Sequence, residues 1–94
     1  MVSPVTDSPT ESLLRFPTDY PIKVLGRRDS LSRAQIDALV RSHVPTLAPE
    51  QVAQRESGGG NFIAITYSIV AESREQVTAL VSALLKAEGV VMVI

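Results

Sequence analysis

The chain has no cysteine and no tryptophan, and only two phenylalanines and two tyrosines among its 94 residues. Without cysteine there can be no disulfide, thiolate zinc site, iron–sulfur cluster or cysteine nucleophile. A chain this small that does without disulfides favours a reducing compartment, so a cytoplasmic location is expected. With so few aromatics, aliphatic side chains must fill the core. No apolar run approaches the ~20 residues needed to cross a bilayer. Positive charge is not in excess either: nine Lys and Arg stand against ten Asp and Glu, a formal net charge of −1. That argues against a nucleic-acid partner and gives no reason for attraction to an anionic membrane. The opening MVSPVTDSPTES lacks the basic and apolar segments of a secretion signal. Its Ser, Thr, Pro and acids show no periodicity, so residues 1–12 are expected to form a disordered tail. Residues 13–94 are then expected to make a single domain, because the chain is too short for two.

What is present is ordinary globular composition, 45% apolar and 20% charged. It also contains a repeat. SRAQIDALV, from Ser32 to Val40, returns forty-one positions later as SREQVTALV, from Ser73 to Val81, with six of nine letters identical. Each copy begins Ser-x-x-Gln, the capping-box pattern, in which the Ser hydroxyl accepts from the backbone N–H three residues on and the Gln side chain returns to the Ser N–H. Apolar residues then recur at helical spacing: Ile36, Leu39 and Val40 in one copy, and Val77, Leu80, Val81, Leu84 and Leu85 in the other. Pro45 closes the first helix soon after His43, and Gly89 closes the second.

Strand patterns flank both helices. Tyr20–Gly26 and Phe62–Ala71 alternate with period two and are rich in β-branched residues, Val90–Ile94 is a short final strand, and Val52–Ser57 is a short polar one ahead of a Gly58–Asn61 turn. The order β-α-β-β-α-β is the split-βαβ, ferredoxin-like plan: an α+β sandwich with two helices on one face of a four-stranded antiparallel sheet in the order 4-1-3-2. The repeat then has a structural explanation, since both helices cap, cross over and lay an apolar stripe on the same face.

The halves differ in their crossovers. The second passes from Ala71 to Ser73 with one residue between them, whereas the first leaves Arg27, Arg28, Asp29, Ser30 and Leu31 between Gly26 and Ser32. A loop longer than the fold requires, held on a rigid scaffold, is a candidate binding segment. A cap at Ser30, starting the helix earlier, would make it an ordinary short connection. The 4-1-3-2 topology brings the end of strand 1 to the same edge as the Gly-rich hairpin, which gathers Gly26, Arg27, Arg28, Asp29, Ser57, Gly59 and Asn61 as candidate ligand-binding residues. Accessible glycine amides and two Arg suit a small anion. The plain alternative is a glycine turn with solvated Arg side chains.

Alternation assigns Ile22, Val24, Ile65, Tyr67, Ile69 and Met92 to the helix side. It leaves Lys23, Leu25, Ala64, Thr66, Ser68, Val70, Val91 and Val93, joined by Arg55, on the uncovered face. That face is neutral and partly apolar, the character of a partner surface, although soluble proteins expose much apolar area in any case. Little else could carry chemistry. His43, the only His, falls in a last helical turn, where it complements the helix dipole. The carboxylates, among them Asp37, Glu50, Glu72, Glu75 and Glu88, form neither a catalytic pair nor a metal-ligand spacing. RNA binding through this fold needs aromatics across the open face, and only Phe62 comes near it.

Several segments together carry a family resemblance: Phe16-Pro17, the first strand Ile22-Lys23-Val24-Leu25-Gly26, His43-Val44-Pro45, the Ser57–Phe62 hairpin SGGGNF and the closing Met92-Val93-Ile94. From about Leu13 to Ile94 the chain resembles the YbeD-like family of small, conserved, uncharacterised bacterial proteins. The resemblance implies a ferredoxin-like fold similar to ACT regulatory domains, and no established activity. In ACT domains the effector often sits beside the loop after strand 1, commonly at a dimer interface, which here is the Gly26–Ser32 segment. Val91 departs from the family, whose members often carry a basic residue there. ACT domains usually serve an enzyme in the same chain, and no such enzyme is expected here. The resulting expectation is a non-catalytic, stand-alone regulatory or interaction module without a cofactor, binding a small anionic ligand or a protein partner. The alternatives are a structural homodimer formed through Val70, Val91 and Val93, or an enzyme with no recognisable motif.

Overall fold

A computed structural model describes residues 15–94, and the tail expected over residues 1–12 lies outside the described residues. The elements are β1 (Thr18–Arg27), α1 (Arg33–His43), β2 (Val52–Ser57), β3 (Phe62–Ala71), α2 (Arg74–Leu85) and β4 (Val90–Val93). The strands form one antiparallel sheet in the order β2-β3-β1-β4. This is the expected α+β ferredoxin-like arrangement.

The centre of the sheet is the β1–β3 pair, in register from Thr18 opposite Ala71 to Arg27 opposite Phe62. Both strands alternate, so one face collects Ile22, Val24, Ile63, Ile65, Tyr67 and Ile69, all buried beneath the helices. Ile36 and Val40 come down from α1, and Val77, Leu80 and Leu84 from α2. Leu85, at the edge of the α2 stripe, is exposed. Pro21 sits inside β1 without disrupting it. Its neighbour Lys23 directs its N–H and C=O to Ile94, on the β4 side, and Pro21, two residues earlier, faces the same side beyond the end of β4. Its missing N–H therefore interrupts no ladder bond.

Both repeats cap helices as expected. The Ser32 hydroxyl accepts from the Gln35 N–H at 3.3 Å and that of Ser73 from the Gln76 N–H at 3.1 Å. The return half of the box is not made. Gln76 Oε1 reaches one residue further, to the Glu72 N–H at 2.6 Å, while Gln76 Nε2 donates to the His43 carbonyl at 2.8 Å. That second bond ties the end of α1 to the start of α2, so the glutamine serves the contact between helices as well as its own N-terminus.

β4 corrects the expected face assignment. Val24 pairs with Val93 and Leu25 with Met92, but Gly26 pairs with Val90, which leaves Val91 as an extra, bulged residue. A bulge shifts the alternation by one. Val93, expected on the open face, packs against the core, and Met92, expected on the helix side, is exposed beside Leu25. Val91 remains exposed.

The first crossover also differs from expectation. β1 continues to Arg27, and the Ser30 and Leu31 N–H groups both donate to the Arg27 carbonyl, at 3.1 and 2.9 Å. The segment is a compact turn whose purpose is visible in Leu31, which is buried against Gly26 and Gly89. A Cβ on Gly26 would stand 2.1 Å from Leu31 Cδ1 and 2.8 Å from the Gly89 carbonyl oxygen. The five residues that looked surplus deliver a core side chain.

Candidate functional site

Two surfaces follow from this frame. The first is the end of the sheet where β1 stops. The Arg27 N–H donates to the Gly89 carbonyl at 2.8 Å and the Arg28 N–H to the Asn61 carbonyl at 3.0 Å, so the β1 turn, the β2–β3 hairpin and the turn before β4 are joined there. The hairpin makes this approach with Gly58, Gly59 and Gly60 at φ of 59°, 68° and 91°, the left-handed region that glycine enters without steric cost. An open groove of ≈ 540 Å³ results, lined by Arg27, Arg28, Asp29, Gly60, Asn61 and Phe62.

Of the residues expected at this end, Arg27, Arg28, Asp29 and Asn61 line the groove together. Gly26 does not: it is buried under Leu31 and offers no surface. Ser57 and Gly59 belong to the hairpin but lie outside the lining, which instead includes Gly60 and Phe62. Nor are the two Arg equivalent. Arg28 Nη1 is 3.2 Å from Glu56 Oε2 and donates to the Gly60 carbonyl at 3.3 Å, so its charge is already answered across the hairpin. The pair is well exposed and contributes no more than ~1 kcal/mol to stability. Arg27 has no such partner among the described residues.

The second surface is the uncovered face of the sheet. Register places Arg55, Ala64, Leu25 and Met92 in one row across all four strands. Ala64 is buried although none of the described elements lies above it, a small side chain between larger neighbours. The next row holds Ala53, Thr66, Lys23 and Ile94, and Ser68 and Val70 follow along β3. Val70, Met92 and Val91 are 41%, 46% and 47% exposed. Arg27 and Phe62 face each other in register at the end of this face and also line the groove, so the two surfaces are continuous.

A third cluster was not expected. The Tyr67 hydroxyl, at the floor of the helix-covered side, donates to Asp37 Oδ1 at 2.5 Å. Arg33 Nε donates to both Asp37 oxygens at 3.0 Å, and Arg33 Nη1 donates to Gln54 Oε1 at 2.7 Å. Burial first, and then the hydrogen bond to Asp37, push the Tyr67 hydroxyl well above its usual range. The arrangement satisfies a buried phenol and ties α1 to β2. The Arg33–Asp37 spacing of four on one helix was legible in the sequence; the link to Tyr67, thirty residues away, was not.

His43 lies in the last turn of α1, its Nδ1 3.1 Å from the Leu39 carbonyl oxygen. Among the described residues no three His, Asp or Glu gather as metal ligands would, and no helix is long and apolar enough to cross a membrane.

Comparison with known proteins agrees with the motifs. A family described as a protein of unknown function (DUF493) matches residues 11–94. A UPF0250 protein of Bordetella parapertussis is 38% identical over 76 residues, covering 81% of this chain and 84% of the relative. A UPF0250 protein of Janthinobacterium sp. (strain Marseille) is 42% identical over 77 residues with the same coverage. One from Chromobacterium violaceum is 41% identical over 66 residues, 70% of this chain and 74% of the relative. No solved structure matches. The profile spans the whole ferredoxin-like unit and the relatives share most of its length, so the chain belongs to the DUF493/UPF0250 family of small conserved bacterial proteins, the YbeD-like proteins.

Proposed function

We propose that the protein is a non-catalytic interaction module of the cytoplasm that holds a protein partner on its open sheet face. The observation that carries this reading is the row Arg55–Ala64–Leu25–Met92, with exposed Val91 next to Met92 and exposed Val70 further along β3: apolar side chains on one rigid sheet face, with no described element above them. A β-sheet face presents its side chains in fixed positions, which lowers the ordering cost of association. The two regulatory expectations drawn from ACT domains, an effector beside the β1 loop and pairing through it, find less support, because that loop is occupied with seating Leu31.

The test is crosslinking in bacterial cells with a photoreactive side chain at Ser68 or Met92, compared with one at Glu75 on the exposed side of α2. Adducts from the two sheet positions and none from Glu75 are expected. Adducts from Glu75 alone would reverse the assignment.

A second reading takes a small anion in the groove, favoured by Arg27, which has no partner among the described residues at the groove's rim. In that case metabolite-sized anions would shift the amide resonances of Arg28 and Asn61, and the sheet positions would give no adducts.

A further inference from the structure

Resting on the interaction-face reading, we propose that the partner is acidic: a protein segment that seats an apolar side chain on Leu25 and Ala64 and answers Lys23, Arg27 and Arg55 with carboxylates.

The argument is the sign and placement of charge on one face. Lys23, Leu25 and Arg27 are alternate residues of β1 and project from the same side of the sheet, while Arg55 is in register with Ala64, which is in register with Leu25. Three cations therefore surround a floor made by Leu25, Ala64 and Met92. Along β1 the Lys23 and Arg27 backbones are ~13 Å apart, and Arg55 is two strands, ~10 Å, from Leu25. None of the three has a hydrogen bond or ion pair to another side chain among the described residues. Elsewhere Arg28 and Arg33 are answered, by Glu56 and Asp37, while Arg41 and Lys86 stand singly at the C-terminal ends of α1 and α2. Among the described strand residues the one carboxylate side chain on the open face is that of Asp19, opposite Val70 at the far end of β1 and four residues from Lys23. A chain of net charge −1 thus groups three unanswered cations on the face where its apolar surface is exposed.

This pattern selects among occupants. A second copy laid on the same face would bring its own Lys23, Arg27 and Arg55 against these, and like charges brought together across an interface cost several kcal/mol. A single small anion would leave the apolar floor exposed and meet only part of so broad a triangle. A single-stranded nucleic acid would find cations but, apart from half-buried Phe62 at the rim, no aromatic platform on which to stack. An acidic protein segment covers the floor and completes the charges together, its carboxylates steering the encounter.

The experiment titrates isotope-labelled protein with three short synthetic peptides that share one apolar stripe, flanked by Glu, by Lys or by Gln, and with oligouridylate. The Glu peptide is expected to shift the amides of Lys23, Leu25, Arg27, Arg55 and Ala64 and to bind at least about tenfold more tightly than the Lys peptide. Its affinity should fall as salt is raised to ~0.5 M. K23E/R27E/R55E should invert the preference toward the Lys peptide. K23Q/R27Q/R55Q should abolish it, and would serve alone if the charge-reversed chain failed to fold. Equal binding of all three peptides at these amides would overturn the acidic partner while leaving the face as an interaction surface. Binding of oligouridylate there in place of the Glu peptide would overturn it in favour of a nucleic acid. No shift with any peptide also overturns it. Whether the face falls with it is read separately from the crosslinks at Ser68 and Met92, which do not depend on charge.

Discussion

The two faces of the sheet are built from the same strands, residue by residue, and share almost nothing. On the helix side β1 and β3 contribute Ile22, Val24, Ile63, Ile65, Tyr67 and Ile69, and the one polar atom among them, the Tyr67 hydroxyl, is hydrogen-bonded. On the other side, one residue along each time, stand Lys23, Leu25, Thr66, Ser68 and Val70, half-buried or exposed. A strand with period two can assign stability and recognition to alternate positions without the two interfering. A four-stranded sheet covered on one side is already stable, so the uncovered positions are free to be chosen for a partner. Polar groups buried in the covered face answer the opposite requirement, that each find its own partner within the chain.

The strongest test of this division is a pair of truncations on one strand. Ile65 is 0% exposed, and Ile65→Ala should cost ~2–5 kcal/mol by denaturant unfolding, the lost transfer energy plus the cavity left behind. Val70→Ala, on the open face, should cost under ~0.5 kcal/mol. Comparable losses at the two sites would mean that the open face is covered and contributes to stability, and the division would fail.

A smaller effect is expected at Gly26, where the contrast is with its neighbours Leu25 and Arg27 rather than with the opposite strand. Gly26 points to the crowded side, and Gly26→Ala would press a methyl group against Leu31 Cδ1 and the Gly89 carbonyl oxygen. Leu31 can move but the Gly89 backbone cannot do so without shifting the entry to β4. A cost of ~1–3 kcal/mol is expected, as for other overpacked sites. Leu31→Ala in the same chain should recover part of it, because the nearest obstacle is then gone, although the Leu31→Ala change removes core contacts of its own. No recovery in the double variant would assign the whole strain to Gly89.

Most of this architecture was legible in the sequence because its signals are local. Ser-x-x-Gln marks each helix start within four residues, and alternation marks β3 over all ten of its residues and β1 over Tyr20–Gly26, short of the observed Thr18–Arg27. The exceptions are all non-local. VVMVI is apolar throughout, so no alternation reveals its register, and the bulge at Val91 that exchanges the faces of Met92 and Val93 exists only in the pairing with β1. The Gln76 side chain leaves its own cap for Glu72 and His43, the second of these thirty-three residues away. The extra length of the β1–α1 connection was visible, but that it carries Leu31 into the core depends on where Gly26 and Gly89 meet in space. At the groove, topology alone was enough to gather Arg27, Arg28, Asp29 and Asn61. The Arg28–Glu56 pair, which leaves Arg27 as the unanswered charge, follows from the hairpin register and could not be read from the chain.

Tyr67 tests the covered face at its one polar point. Tyr67→Phe keeps the ring and removes the hydroxyl, leaving Asp37 to Arg33, which already grips both carboxylate oxygens. The loss should be ~1 kcal/mol near neutral pH, one hydrogen bond. The pH dependence is the sharper readout. The folded phenol titrates well above its ordinary value of 10.0, while in the unfolded chain it titrates near that value. Above pH ~10 the unfolded state therefore releases a proton that the folded state retains, and proton linkage makes stability fall as pH rises. The stabilisation is complete below pH ~10 and declines from there upward. In the Tyr67→Phe variant that part of the alkaline decline should disappear, so the two unfolding curves converge as the pH is raised. If both chains lose stability in parallel above pH ~10, the phenol is not the group that titrates, and the hydroxyl is reached by water rather than held against Asp37 under α1.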